Sequence, residues 1–146
     1  MRYIKLLLVI TWMIIIFMFS NQKAVESDKL SNGLILKTVR IIEKITHKTY
    51  SDEEILHKFV RPVRKMAHFT IYLILGILVY IFIDDLNIKN IILISLMICL
   101  IYSISDEIHQ LFIEGRSGKI TDVLIDTCGS FIGIIIVNKV KKVIHK

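Results

Sequence analysis

Proline occurs once in this 146-residue chain and glycine six times, too few for a collagen-like repeat or a Pro-rich linker. Two cysteines cannot build the multi-disulfide framework of a small secreted module. Charged residues make up only 22% of the chain, so the composition of a disordered segment is also missing. The patterns H-E-x-x-H, D-x-[DN]-x-[DN]-G and the P-loop are absent, and with them the short signatures of several metal and nucleotide chemistries. There is no internal repeat and no low-complexity run.

What the chain has in excess is apolar surface. Hydrophobic residues reach 54% and the mean hydropathy is +0.64. A chain of this length is one domain, 1–146, and in water it could not hide that much apolar area. An integral membrane protein remains. The 19 Lys+Arg against 13 Asp+Glu give a net charge of +6. In a membrane chain that excess belongs at the lipid headgroups, so membrane lipids are expected partners and nucleic acid is not.

Hydrocarbon about 30 Å thick needs roughly 17–25 mostly apolar helical residues. Four stretches qualify, at about 4–20, 66–83, 88–105 and 120–137. The expected fold is therefore all-α: a four-span transmembrane helical bundle with a long, partly helical loop, 21–65, between spans one and two. The segments are rich in isoleucine, a poor helix former in water, but in lipid the backbone must satisfy its own hydrogen bonds. Lys5 interrupts the first span and can snorkel to the headgroups. No small-x-small cleavage pattern follows that span, so it is expected to be an uncleaved anchor.

With four spans both termini share a side. Arg2, Lys5 and the tail lysines Lys139, Lys141, Lys142 and Lys146 favour the cytoplasm for both. The first loop opposes this, with ten Lys and Arg, but the first helix and the compact basic tail are expected to dominate. Within that loop Leu30, Leu34, Ile41, Ile42 and Ile45 form an apolar helical stripe opposite Lys37, Arg40 and Lys44. Such an element either lies on anionic lipid or folds over the bundle's end. Ser51-Asp52-Glu53-Glu54 reads as a capping box opening a second short helix, and Arg61-Pro62 as a restart leading into span two.

The start of span two, the end of span three and the start of span four must lie on one membrane face, and the unexplained polar residues sit at those places. Arg61, Lys65, His68 and Tyr72 follow at four, three and four, one helical stripe. Headgroup anchoring accounts for Arg61, Arg64 and Lys65, but an ionisable His68 inside an apolar run calls for a partner within the bundle. Ser103, Asp106 and Gln110 share a second stripe, with Glu107 beside them. Gly115-Arg116-Ser117-Gly118 is a turn suited to offering backbone N–H groups to an anion. Asp122, Asp126, Gly129 and Gly133 again follow at four, three and four. The two glycines are a helix-packing surface, and Asp126 must be paired, protonated or metal-bound, with Lys65, Arg116 or His68 as partners. Cys99 and Cys128 read as small packing residues, and Trp12, mid-span, suggests no role.

These residues also carry a resemblance. Phe19-Ser20-Asn21-Gln22, Arg64-Lys65-Met66-Ala67-His68-Phe69, Ser105-Asp106-Glu107-Ile108-His109-Gln110, Gly115-Arg116-Ser117-Gly118 and Thr121-Asp122-Val123-Leu124-Ile125-Asp126-Thr127-Cys128-Gly129 together resemble the VanZ-like membrane proteins, named after a teicoplanin-resistance protein. The resemblance implies a small multi-pass protein of the bacterial cytoplasmic membrane connected with glycopeptide susceptibility. It marks Lys65, His68, Asp106, Glu107, Gln110, Arg116, Asp122 and Asp126 as motif positions, without assigning any of them a role.

Three readings follow. In the first, an outer-face polar pocket binds a lipid-linked headgroup, such as that of a cell-wall precursor, or a glycopeptide, with cations for phosphate and Asp and Gln for sugar or peptide groups. In the second, the chain is an intramembrane metal-assisted hydrolase or phosphotransferase. His68, Asp106, Glu107, Asp122 and Asp126 then hold a divalent metal, Mg²⁺ or Mn²⁺ or a mixed N/O zinc. In the third, the polar groups only lock the helices of a membrane partner protein without a ligand. The residues alone leave catalysis, cofactor and oligomeric state open.

Overall fold

The computed structural model describes residues 2–22, 32–33, 35–41 and 51–144, apart from the side chain of His57. Among the described residues there is no strand. Four helices carry the fold: α1 (Arg2–Ser20), α2 (Asp52–Asp84), α3 (Ile91–Gln110) and α4 (Ile120–Ile144). All four are long and apolar enough to cross a membrane, their most apolar windows having hydropathies from 1.9 to 2.2. At 1.5 Å per residue even the shortest, α1, spans about 28 Å, close to the hydrocarbon thickness. Leu7, Leu8, Phe17, Met18, Leu93, Ile101, Phe131 and Ile136 are exposed, which suits lipid and not water.

The helix ends depart from the expected spans, most of them for a local reason. Ser51 caps α2: its hydroxyl accepts from the Glu54 backbone N–H at 3.3 Å, and the Glu54 carboxylate accepts from the Ser51 N–H at 3.3 Å. The capping box is present, but the helix it opens is neither short nor separate. It continues through Pro62 to Asp84, so the expected restart at Arg61-Pro62 does not occur. Proline there removes one hydrogen bond, to the carbonyl of Lys58. Both residues lie on the exposed side, where water can take the missing bond. The connection between the first two spans is correspondingly shorter than 21–65.

Asn87 and Asn90 adopt φ of 53° and 61°, the left-handed region that asparagine tolerates. They hold the turn after α2, so α3 starts at Ile91 and not at Ile88. At the other end α3 runs on to Gln110, taking Asp106, Glu107 and Gln110 into the helix. The C-terminus of α4 includes Lys141 and Lys142 in its last turn, where cations favour the helix dipole. Of the amphipathic stripe expected in the first loop, Leu30, Leu34, Ile42, Lys44 and Ile45 lie outside the described residues. Residues 35–41 are helical, with Ile35 buried and Ile41 exposed.

The best-packed pair is α2 with α4. They run parallel: a Cβ added at Gly129 would strike the Phe69 carbonyl, one at Gly133 the Leu73 carbonyl, and one at Gly76 the Ser130 carbonyl. Ser130 seals the seam by donating to the Tyr72 carbonyl at 3.1 Å, and Tyr80 donates to Asn138 at 3.0 Å further along. Antiparallel to both, α3 completes a core of Tyr72, Leu75, Val79, Ile83 and Cys99. On the outside lies α1, with 17% of its apolar window buried against 33% for α2.

Side-chain bonds along its length hold α1: Trp12 Nε1 donates to the Ile71 carbonyl at 2.9 Å, Tyr102 to the Met13 carbonyl at 2.6 Å and Arg116 to the Phe19 carbonyl at 3.0 Å. Trp12 thus has a role, as a clamp between α1 and α2. Cys99 is buried as expected, but Cys128 is exposed on α4, so only one of the two cysteines packs inside. At the end of the bundle that carries the N-terminus, Lys5 pairs with Asp85 at 2.6 Å and Lys141 with Asp84 at 2.5 Å.

Candidate functional site

The opposite end holds the polar residues. The stripe of α2 that carries Tyr72 inward also carries His68, while α3 turns Ser103, Asp106, Glu107 and Gln110 to the same place and α4 contributes Asp126. Helical spacing does this without strain, because residues three or four apart share a face. Asp126 is 0% exposed, Asp106 3%, Glu107 5% and Gln110 6%. Three carboxyl groups therefore lie inside one small volume, an arrangement costly enough to require compensation.

Asp126 Oδ2 accepts from Ser103 at 3.1 Å, and its Oδ1 faces His68 Nδ1 at 3.5 Å. Tyr72 donates to Asp106 Oδ2 at 3.3 Å, and the Gln110 amide reaches Asp106 at 3.5 Å and Glu107 Oε1 at 3.2 Å. Glu107 Oε2 accepts the Lys119 backbone N–H at 2.8 Å. The turn before α4 does offer a backbone N–H to an anion, and the anion it takes is the chain's own Glu107. This contact needs Gly118, where a Cβ would run into the Glu107 carbonyl, while Gly115 supplies the left-handed φ of 77° that starts the turn. The ligand atoms of His68, Glu107 and Asp126 all lie within 4.8 Å of one another.

Above the buried acids opens a cavity of about 350 Å³. His68 and Gln110 form its floor towards the cluster, and Asp122, Thr121 and Ile125 one wall. Besides Gly115 and Ser117, the remaining lining is cationic, with Arg61, Arg64, Lys65, Arg116 and Lys119. Of the residues singled out in the sequence, His68, Asp106, Glu107, Gln110 and Asp126 meet in the buried cluster. Lys65, Arg116 and Asp122 line the cavity above it. The partner facing Asp126 is His68, not Lys65 or Arg116.

Arg116 has a further job. Its guanidinium donates to the carbonyls of Gln22 at 2.7 Å and Phe19 at 3.0 Å, capping the end of α1. His109 contacts Asn21 at 3.3 Å and stacks near Phe17. Phe19-Ser20-Asn21-Gln22 is therefore the place where α1 docks onto the turn and the end of α3. Tyr72, Ser103 and Ser130 complete the site's frame, and Ser130 escapes a sequence reading because its partner is a backbone carbonyl.

Neither the curated proteins nor the solved structures contain a match to this chain. A family model does match, and it covers residues 5–142. Four apolar helices joined at one end by these motif residues thus belong to a multi-pass membrane protein, and the chain is a member of the VanZ/LLP1 family.

Proposed function

We propose that this is a cell-envelope protein of the bacterial cytoplasmic membrane whose cavity holds the phosphate headgroup of a lipid-linked ligand on the outer face. The observation that carries the reading is the cavity's lining: five cationic side chains, Arg61, Arg64, Lys65, Arg116 and Lys119, around a concave space at the bundle's end. Arginine forks and lysine ammonium groups suit phosphate oxygens, and a lipid tail can stay in the bilayer beside the exposed apolar surface of the helices. A role in glycopeptide susceptibility follows if the ligand is a cell-wall precursor.

The orientation belongs to this reading. Basic flanks at both termini put the Lys5–Asp85 and Lys141–Asp84 end in the cytoplasm and the cavity outside.

Native mass spectrometry in mild detergent tests the proposal with three probes: a long-chain polyprenyl diphosphate, the matching polyprenol without phosphate, and teicoplanin. The diphosphate is expected to be retained over the alcohol. Lys65→Ala and Arg116→Ala should each weaken it about tenfold, as one charge-assisted contact of roughly 1.4 kcal/mol would require. Equal retention of alcohol and diphosphate, or variants that bind like the wild type, would sink the headgroup assignment. Retention of teicoplanin alone would replace it with direct drug binding.

A further inference from the structure

The contact between His68 Nδ1 and Asp126 Oδ1 is the least satisfied feature of the site. At 3.5 Å it is longer than a good N–H···O hydrogen bond, about 2.7–3.2 Å. Neither atom has a hydrogen-bond partner among the described residues, although both are buried. Asp126 is fully enclosed, so its Oδ1 cannot turn to bulk water. Buried polar atoms are almost always satisfied, and two facing each other across a gap slightly too wide for a hydrogen bond call for something between them.

We infer that His68 Nδ1, Asp126 Oδ1 and a Glu107 carboxylate oxygen form a binding site for one divalent transition-metal ion, with zinc favoured over magnesium. Bonds of about 2.0–2.1 Å to nitrogen and oxygen in a tetrahedron separate neighbouring donors by about 3.4 Å, close to the 3.5 Å between His68 and Asp126. Glu107 offers the third oxygen within 4.8 Å of both. The imidazole directs the preference to zinc, since magnesium demands oxygen ligands in octahedral geometry.

The surroundings fit a metal better than a bare ion pair. Each carboxylate is oriented from behind: Ser103 donates to the other oxygen of Asp126, and the Lys119 N–H and the Gln110 amide donate to Glu107. Such outer-shell donors fix metal ligands in place. The charge also favours it: a 2+ ion offsets its two carboxylate ligands and leaves only Asp106, which Tyr72 and Gln110 hold by hydrogen bonds, whereas protonated His68 alone offsets one of the three buried acids. His68 belongs to the cavity lining as well as to the cluster. Three protein donors leave a fourth position facing that cavity, as in zinc sites that stay open to a ligand. The inference goes beyond the headgroup reading and stands without it.

The test counts metal with no lipid added. Protein purified in mild detergent is stripped with a chelator, reloaded with Zn²⁺ alone, dialysed and assayed by inductively coupled plasma mass spectrometry. One zinc per chain is expected, in the presence of millimolar Mg²⁺. Cys128→Ser should bind equally, since the exposed thiol is not a ligand. His68→Gln, Glu107→Gln and Asp126→Asn should each lose at least about tenfold in zinc affinity, the low end of what loss of even an outer-shell partner costs. Substoichiometric zinc in the wild type, or unchanged affinity in His68→Gln and Asp126→Asn, overturns the site. Should a variant fail to fold, the cobalt-loaded wild type decides. An intense visible band without thiolate charge transfer supports a four-coordinate N/O site, and the pale spectrum of six-coordinate cobalt refutes it.

Discussion

The α2–α4 seam is the part of the fold where a single methyl group should matter most. Replacing Gly133 with alanine places a Cβ against the Leu73 carbonyl oxygen, closer than the 3.0 Å that real Cβ atoms keep, with the Leu73 carbonyl carbon at 3.1 Å and Ile77 Cγ1 at 3.2 Å. The first two obstacles are backbone and cannot rotate away. The helices must therefore part by about an ångström to restore ordinary contact. On either side of Gly133 along the seam lie the Ser130–Tyr72 bond of 3.1 Å and the Tyr80–Asn138 bond of 3.0 Å. An ångström takes both past hydrogen-bond length. Overpacking costs about 1–3 kcal/mol and each lost bond about 1 kcal/mol, so Gly133→Ala should destabilise by about 3–5 kcal/mol. The control is Ile136→Ala, which deletes several carbons on the exposed side of the same helix and should change stability by less than about 0.5 kcal/mol. Thermal unfolding in detergent, followed by the fluorescence of the single Trp12, ranks the two. Equal midpoints for Gly133→Ala and wild type would refute the close parallel contact of α2 and α4.

Three other outcomes follow from the structure. In metal-free protein, Asp126→Asn removes one of three clustered acids, so stability should hold or rise; a loss of about 3–5 kcal/mol, restored by also replacing His68, would mark a simple buried ion pair instead. Lys5 beside Asp85 holds that carboxyl below its ordinary range, so the pair stabilises the fold above the usual carboxylate pKa and loses its effect as pH falls below it. The midpoint difference between wild type and Asp85→Asn should accordingly be present at about pH 7 and vanish towards about pH 2; a difference independent of pH would show that charge is not its source. In a Cys128→Ser background, cysteine at position 119 should react with an impermeant thiol reagent in whole cells and cysteine at position 142 should not, and the reverse pattern inverts the proposed orientation.

Much of the helical organisation was legible because lipid leaves few choices. Apolar length marked the four spans, and the four-three-four spacing of Asp122, Asp126, Gly129 and Gly133 displayed one face of α4 before any contact was known. What stayed hidden depends on main-chain acceptors, which no residue pattern displays. Trp12 on the Ile71 carbonyl, Ser130 on the Tyr72 carbonyl and Arg116 on the end of α1 are all of this kind. Pro62 misled in the opposite direction. Proline signals a helix start by default, yet on an exposed face the capped helix from Ser51 runs through it. The left-handed Asn87 and Asn90 set the start of α3 in a stretch where hydropathy alone had placed Ile88 inside the span.

The way α1 is held has a consequence for how freely it can vary. Tyr102 and Arg116 bond to carbonyls of Met13, Phe19 and Gln22, groups that every residue type carries. Between its ends the helix is held largely through its main chain, and more than half of its side chains are exposed on the apolar surface. A library randomised among apolar residues at Leu7, Leu8, Ile10, Ile14 and Met18 should therefore keep its fold in most members, while Trp12 and the buried Ile16 tolerate little. Most of the first span is then open to apolar substitution, while the turn that grips its end is not.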